Sequence, residues 1–222
     1  MKILCIDTSC DYICISYFKN GCVFNSNIKK HRKNARYIID TIDQATKRNQ
    51  LLNINALTFC YGPGSFIGTR LSSSIIQAFS FLHSIPIIKI SSIHLYAYKI
   101  SRQKVFWGKI ILLINAINKT KYSCAFFKIH KNISLRLSKD KVKCINSILN
   151  LKHNNIILIG EDISIYNFFV KKGLKKENIT FIKKSNFITS IILLKICSLI
   201  NNYSVFFKKN ININTSFPLY LN

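Results

Sequence analysis

The sequence predicts an α/β protein whose helices pack on mixed sheets, arranged as two similar halves. Three observations carry this: short apolar runs stop at polar residues or Gly, an Asn-Gly turn separates two β-rich segments, and helical spacing then alternates with further strands. Ile3 to Ile6 reads as a buried strand ending at Asp7, and Tyr12 to Phe18 as a second strand. Asn20-Gly21 favours a hairpin into a third, Cys22 to Ile28. Asn34 is placed to cap a helix whose apolar face is Ala35, Ile38, Ile39, Ile42 and Ala45. Asn55 to Tyr61 is a strand running into GPGSFIGTR. The next helix carries Leu71, Ile75, Ala78, Phe79 and Leu82 at helical spacing until Pro86. Ile87 to Ile90 is a strand, followed by a helix near Ser91 to Ile100.

The polar stretch Ser101 to Lys104 is the expected boundary, giving one domain over residues 1–100 and a smaller, divergent one over 101–222. Beyond it, Lys109 to Asn115 and Tyr122 to Ile129 read as paired strands, with a turn at His130 to Asn132 and another strand after it. Asn155 to Ile159 is a strand ending at Gly160, then come a helix near Ile163 to Lys171, a strand from Ile179 to Ile182, and a last helix from Phe187 to Asn201. The tail is expected to lie against the body through Phe217 and Tyr220.

Composition narrows the class. Of 222 residues, 49% are hydrophobic, which excludes a disordered chain, and seven Gly with three Pro exclude collagen-like and linker-dominated designs. No apolar run reaches the roughly 18–20 residues needed to cross a bilayer. Phe187 to Ile200 is shorter and carries Lys195, so no membrane association is expected. Asp7 cuts the first apolar stretch short, so MKILCIDTSC is not expected to act as a secretory signal. The eight Cys are then expected to be reduced thiols in a cytoplasm. The charge of +25, from 33 Lys+Arg against 8 Asp+Glu, has two readings. It is a positive surface for nucleic acid, or the product of A/T-rich codons for Lys, Asn and Ile. Lys far outnumbers Arg and its doublets are scattered along the chain, which suits the second reading.

The segment most able to carry chemistry is Gly62-Pro63-Gly64-Ser65-Phe66-Ile67-Gly68-Thr69-Arg70, between a strand and a helix. Such a turn either holds an anion on backbone amides at a helix start or is a tight corner with Phe66 filling the core and Arg70 bonding nearby carbonyls or carboxylates. It lacks the Lys-Ser/Thr of a Walker loop. Asp7-Thr8-Ser9, at a strand end, either grips a metal or phosphate or caps backbone groups locally. No C-x-x-C pair and no helical His pair at four-residue spacing occurs, so neither metal nor cofactor is expected. Ser65 has no neighbouring base, and the pair Glu161-Asp162 suits a helix start. No catalytic residue is expected.

MKILCIDTS, GPGSFIGTRLS with IIQAFSF after it, IPIIKISSIHLYA and the terminal Pro-Leu-Tyr-Leu together resemble the bacterial TsaB (YeaZ) family, strongly from Met1 to Ala97 and weakly beyond. The resemblance implies a two-domain fold of the actin, Hsp70 and sugar-kinase type. It implies a non-catalytic accessory subunit for placing a threonylcarbamoyl group on the adenosine next to the anticodon of tRNAs that read codons starting with A. The implied partners are a TsaD-like catalytic subunit, as a heterodimer, and a TsaE-like ATPase, with tRNA engaged through the complex. The catalytic relative carries H-x-x-x-H on its first helix, whereas His31 here is followed four residues on by Ala35, and Asn34 stands where many TsaB sequences have His. Asn115-Ala116-Ile117 replaces a family Asp-Ala-Arg, and the terminal Arg becomes Asn222.

The family docks its partner through the two amino-terminal helices, which implies Tyr37, Thr41 and Gln44 on the first and Ser73, Ile76 and Ser80 on the second. With the partner absent, the same helices are expected to pair with a second copy. The rival readings are an ATP-dependent enzyme with Asp7, Thr8 and Gly62 to Gly68 around phosphates, and a basic RNA-binding module. A metallopeptidase lacks the ligands.

Overall fold

The computed structural model describes residues 2–9, 12–19, 22–29, 35–46, 54–116, 122–131, 133–139, 141–150, 153–160 and 162–183. The predicted Asn34 cap, His31, the helix over 187–201 and the tail lie outside them. The described residues fall into two compact units, one up to Ser92 and one from Ile93.

In the first unit, β1 (Lys2–Asp7), β2 (Tyr12–Lys19) and β3 (Cys22–Lys29) form an antiparallel meander, and β4 (Ala56–Cys60) and β5 (Ile87–Ile90) join in parallel. The sheet order is β3-β2-β1-β4-β5, so β1 is central and its residues from Ile3 to Asp7 are all buried. Strand alternation sorts the two faces. Leu4, Ile6, Ile13, Ile15, Tyr17, Leu57 and Phe59 form one core with Ile38 and Ile42 of α1 (Ala35–Thr46) and Ile76 of α2 (Phe66–His83). Each such aliphatic side chain contributes about 1.5–3 kcal/mol by leaving water. The opposite face carries Cys5, Asp7, Cys14, Ser16, Thr58 and Cys60, all buried. Cys5, Cys14, Cys60 and Cys124 are buried and pack as small side chains.

The second unit begins with α3 (Ser92–Ile100), whose first residue still belongs to the first unit, and a single turn at Lys104–Phe106. Then come β6 (Ile110–Ala116), β7 (Tyr122–His130), β8 (Ile133–Arg136), β9 (Lys141–Lys143), α4 (Ile145–Leu149), β10 (Ile156–Gly160), α5 (Ser164–Lys171) and β11 (Ile179–Lys183). Its sheet runs β11-β10-β6-β7-β8, with β9 also on β7. Both sheets therefore place an antiparallel meander beside two parallel strands. The α/β class with mixed sheets is the one the sequence predicts; β9 and α4 are too short for periodicity to reveal.

Helix rotation departs from the predicted faces. On α1, Ile38 and Ile42 are buried with Thr41, while Ile39 points outward. On α2, Gly68, Thr69, Ser72, Ser73 and Ile76 are buried, Leu71, Ile75 and Phe79 pack at the margin, and Ala78 and Leu82 are exposed. The small side chains bring α2 close to the sheet, so the bulkier apolar residues are displaced to the flanks and the outer side. Ser65 starts α2 by accepting the Gly68 N–H (3.2 Å), and Ser84, in the left-handed region (φ 51°), ends it.

Within the second unit, His94 of α3 meets the Phe127 ring edge-on at 5.7 Å. Burial and then the nearby Arg136 charge hold its pKa down, from 6.5 to about 4. The unfolded chain therefore takes up a proton that the native chain refuses between those values. The stability is fully present above about pH 6.5 and falls as the pH drops toward 4, by about 2 kcal/mol at pH 5. Urea unfolding at pH 7.5 and 5 measures this, and His94→Leu should flatten the difference.

Candidate functional site

The Gly62 to Arg70 segment is a corner locked to the end of β1. Gly62 has φ +96°, a conformation open to glycine, and the bond to Pro63 is cis. Its carbonyl accepts the Ser92 N–H (2.9 Å), and the Pro63 carbonyl accepts the Ser92 hydroxyl (2.7 Å). Gly64 lies so close to β1 that an added β-carbon would stand 2.5 Å from the Ser9 carbonyl oxygen. That same oxygen accepts the Ser65 N–H at 2.7 Å. The Thr8 hydroxyl donates to the Gly68 carbonyl, and Asp7 Oδ1 accepts the Ser9 N–H at 2.7 Å.

Much of the hydrogen bonding available at the start of α2 is thus used within the fold. The N–H of Ser65 goes to Ser9, that of Gly68 to the Ser65 hydroxyl, and that of Thr69 to the Ser65 carbonyl. The glycine segment is a tight corner; Asp7 caps locally through Ser9, whereas Thr8, read as a local cap, instead bonds across to Gly68. One group stands out: Asp7 Oδ2 is buried with no hydrogen-bond partner among the described residues. No group of three or more His, Cys, Asp or Glu able to share an ion occurs among the described residues.

Phe66 does not fill the core as the sequence suggested. It is 55% exposed, and the Arg70 guanidinium lies over its ring at 3.8 Å. The first position of a helix anchored by Gly64 and Ser65 points away from the sheet.

Of the six residues assigned to partner contact, three are spent on the chain's own interior. Ile76 is in the core, Thr41 donates to the Tyr37 carbonyl (2.8 Å), and buried Ser73 accepts from the Gln77 amide (3.0 Å). Tyr37 packs against the core and Ser80 donates to the Ile85 carbonyl (2.6 Å), leaving Gln44 exposed. The outward side of α2 instead carries Phe66, Ile67 (77% exposed), Arg70, Ser74, Ala78, Phe81 (87%) and Leu82 (70%). Phe81 was legible only as a large apolar residue off the predicted face.

A family model described as TsaD, tRNA N6-adenosine threonylcarbamoyltransferase, matches residues 20–216. The tRNA threonylcarbamoyladenosine biosynthesis protein TsaB of Buchnera aphidicola subsp. Baizongia pistaciae is 30% identical, over 99% of this chain and 97% of its own length. Its namesake from Buchnera aphidicola subsp. Acyrthosiphon pisum is 27% identical, over 95% and 96%. The chain belongs to the TsaD family, in its TsaB (YeaZ) branch. Membership ties it to tRNA threonylcarbamoyladenosine biosynthesis. The solved YeaZ of Pseudomonas aeruginosa shares the fold, with a TM-score of 0.73 at 13% identity over 99% of each chain. No described helix is long and apolar enough to cross a membrane.

Because this corner depends on backbone approach, Gly64→Ala forces Ser9 and the start of α2 apart. A stability loss of about 2 kcal/mol is expected, read by urea denaturation, against about 1 kcal/mol for the lost cap in Ser65→Ala.

Proposed function

We propose that the chain is a non-catalytic scaffold and activator subunit that binds a TsaD-like catalytic chain during threonylcarbamoylation of the adenosine next to the anticodon. The outward side of α2 carries this reading. Phe66, Ile67, Phe81 and Leu82 leave an apolar stripe in water on a helix whose other side is packed, and such a stripe marks a surface that a partner covers. Ile39 and Gln44 of α1 are likewise exposed. Small Ser74 and Ala78 between the bulky ends let a partner helix approach, with Phe81 and Leu82 as anchors. A heterodimer held this way stabilises the competent arrangement of the catalytic chain, and a TsaE-like ATPase joins the pair. A second copy of this chain covers the stripe when the partner is absent. The domain division near residue 100 and a cytoplasmic setting belong to the same reading.

Phe81→Glu and Leu82→Glu put a charge where the partner removes water. Affinity for a TsaD-like chain should fall at least tenfold by calorimetry, while the variants' own stability changes by less than about 0.5 kcal/mol. A wild-type chain that fails to co-elute with such a partner sinks the proposal.

Asp7 Oδ2 favours a second reading, an ATP-dependent enzyme, because an unpartnered buried carboxylate oxygen suits a ligand. That reading requires ATP turnover by the isolated chain that Asp7→Asn abolishes; the scaffold reading expects no turnover in either.

A further inference from the structure

We infer that the turn around Trp107 in the second unit, with the adjoining end of β7, is a contact surface for the RNA phosphate backbone. Gly108 (φ +78°) turns the chain into β6, and its N–H donates to the Ile129 carbonyl at 2.8 Å. The Ile129 N–H donates in turn to the Lys109 carbonyl (2.9 Å). These bonds hold two sequence-distant groups of basic side chains together: Arg102, Lys104 and Lys109 from the turn, and Lys128, His130 and Lys131 from β7 and its end. All six are exposed. The turn itself is fixed, because the Trp107 indole N–H donates to the Ser101 carbonyl (2.8 Å) and the Lys131 ammonium sits 5.8 Å from the ring centre.

Among the described residues the surface has no local counter-charge. No Asp or Glu occurs anywhere from Gln44 to Lys139. The described acids of this unit, Asp162 and Glu177, belong to the segments leading into α5 and β11, toward the other edge of the sheet from β7 and β8. A second lysine cluster, at the carboxyl end of α5, has a local explanation that this one lacks. Lys171 and Lys172 complement the carboxyl end of α5, and Lys175 lies 3.8 Å from Glu177. Clustered, uncompensated lysines release counterions from phosphates, so they bind a polyanion without reading its sequence. The choice of RNA as that polyanion rests on the family's role in tRNA modification. An anionic membrane fits less well, because the indole is internally bonded and faced by Lys131 and so is not free to insert.

The test is fluorescence polarisation of the full chain with an unmodified tRNA transcript over a salt series. Lys104→Gln, Lys109→Gln, Lys128→Gln and Lys131→Gln combined should lower affinity at least tenfold and reduce the slope of log affinity against log salt by about 3. The charge-matched set Lys171→Gln, Lys172→Gln, Lys175→Gln and Lys176→Gln should stay within about threefold of wild type, and Lys→Arg at the first four positions should retain binding, which separates charge from folding. Equal losses in both Gln sets, no tRNA binding by the wild-type chain, or loss of phosphatidylserine-vesicle binding with tRNA binding unchanged would each overturn the inference. Co-elution of the same variants with a TsaD-like chain is scored separately, so failure of the scaffold reading shows as lost partner binding in the wild type.

Discussion

The close approach of Gly64 to the Ser9 carbonyl, sealed by the Ser65 N–H, ties the first helix after the loop to the central strand of its sheet. A helix entered through so short a corner has little freedom to rotate, since its first turn is already held by Ser9, Thr8 and its own Ser65 cap. The consequence runs along all of α2. Gly68, Ser72, Ser73 and Ile76 meet the sheet, and everything a turn-half away from them meets water. The apolar stripe from Phe66 to Leu82 is thus a product of backbone geometry at the corner, even though none of its members touches β1 through that latch.

The same corner bears on chemistry. A glycine-rich turn at a helix start offers donors to an anion only when those donors are not already used. Here Ser65, Gly68 and Thr69 direct their N–H groups to oxygens of the chain itself. Glycine serves close packing of backbone on backbone. Asp7 Oδ2, beside that corner, is one of the buried polar atoms with no hydrogen-bond partner among the described residues.

Charge acts at another level. A formal +25 says nothing of where a polyanion would sit, because lysines spread evenly repel one another and attract weakly everywhere. Hydrogen bonding between the Trp107 turn and β7 converts part of that excess into a local feature. No described carboxylate lies beside it, since the sequence carries none from Gln44 to Lys139.

The sequence alone determined the order of the longer described strands and helices, since period-two and helical spacing are local properties, while β9 and α4 were too short to read. It also determined the family, because GPGSFIGTR is a contiguous string. It did not determine which side of α2 faces the core. Leu71, Ile75, Phe79 and Leu82 form a credible apolar face, and only the tertiary latch at Gly64 shows that the small residues take the inner position. For the same reason Phe66 was legible as core and lies in water, and Ile76, Ser73 and Thr41 were legible as contact residues and lie inside. Helix existence follows from side chains a turn apart, whereas helix rotation follows from contacts between residues some fifty-five positions apart, such as Ser9 and Gly64, which no local pattern encodes.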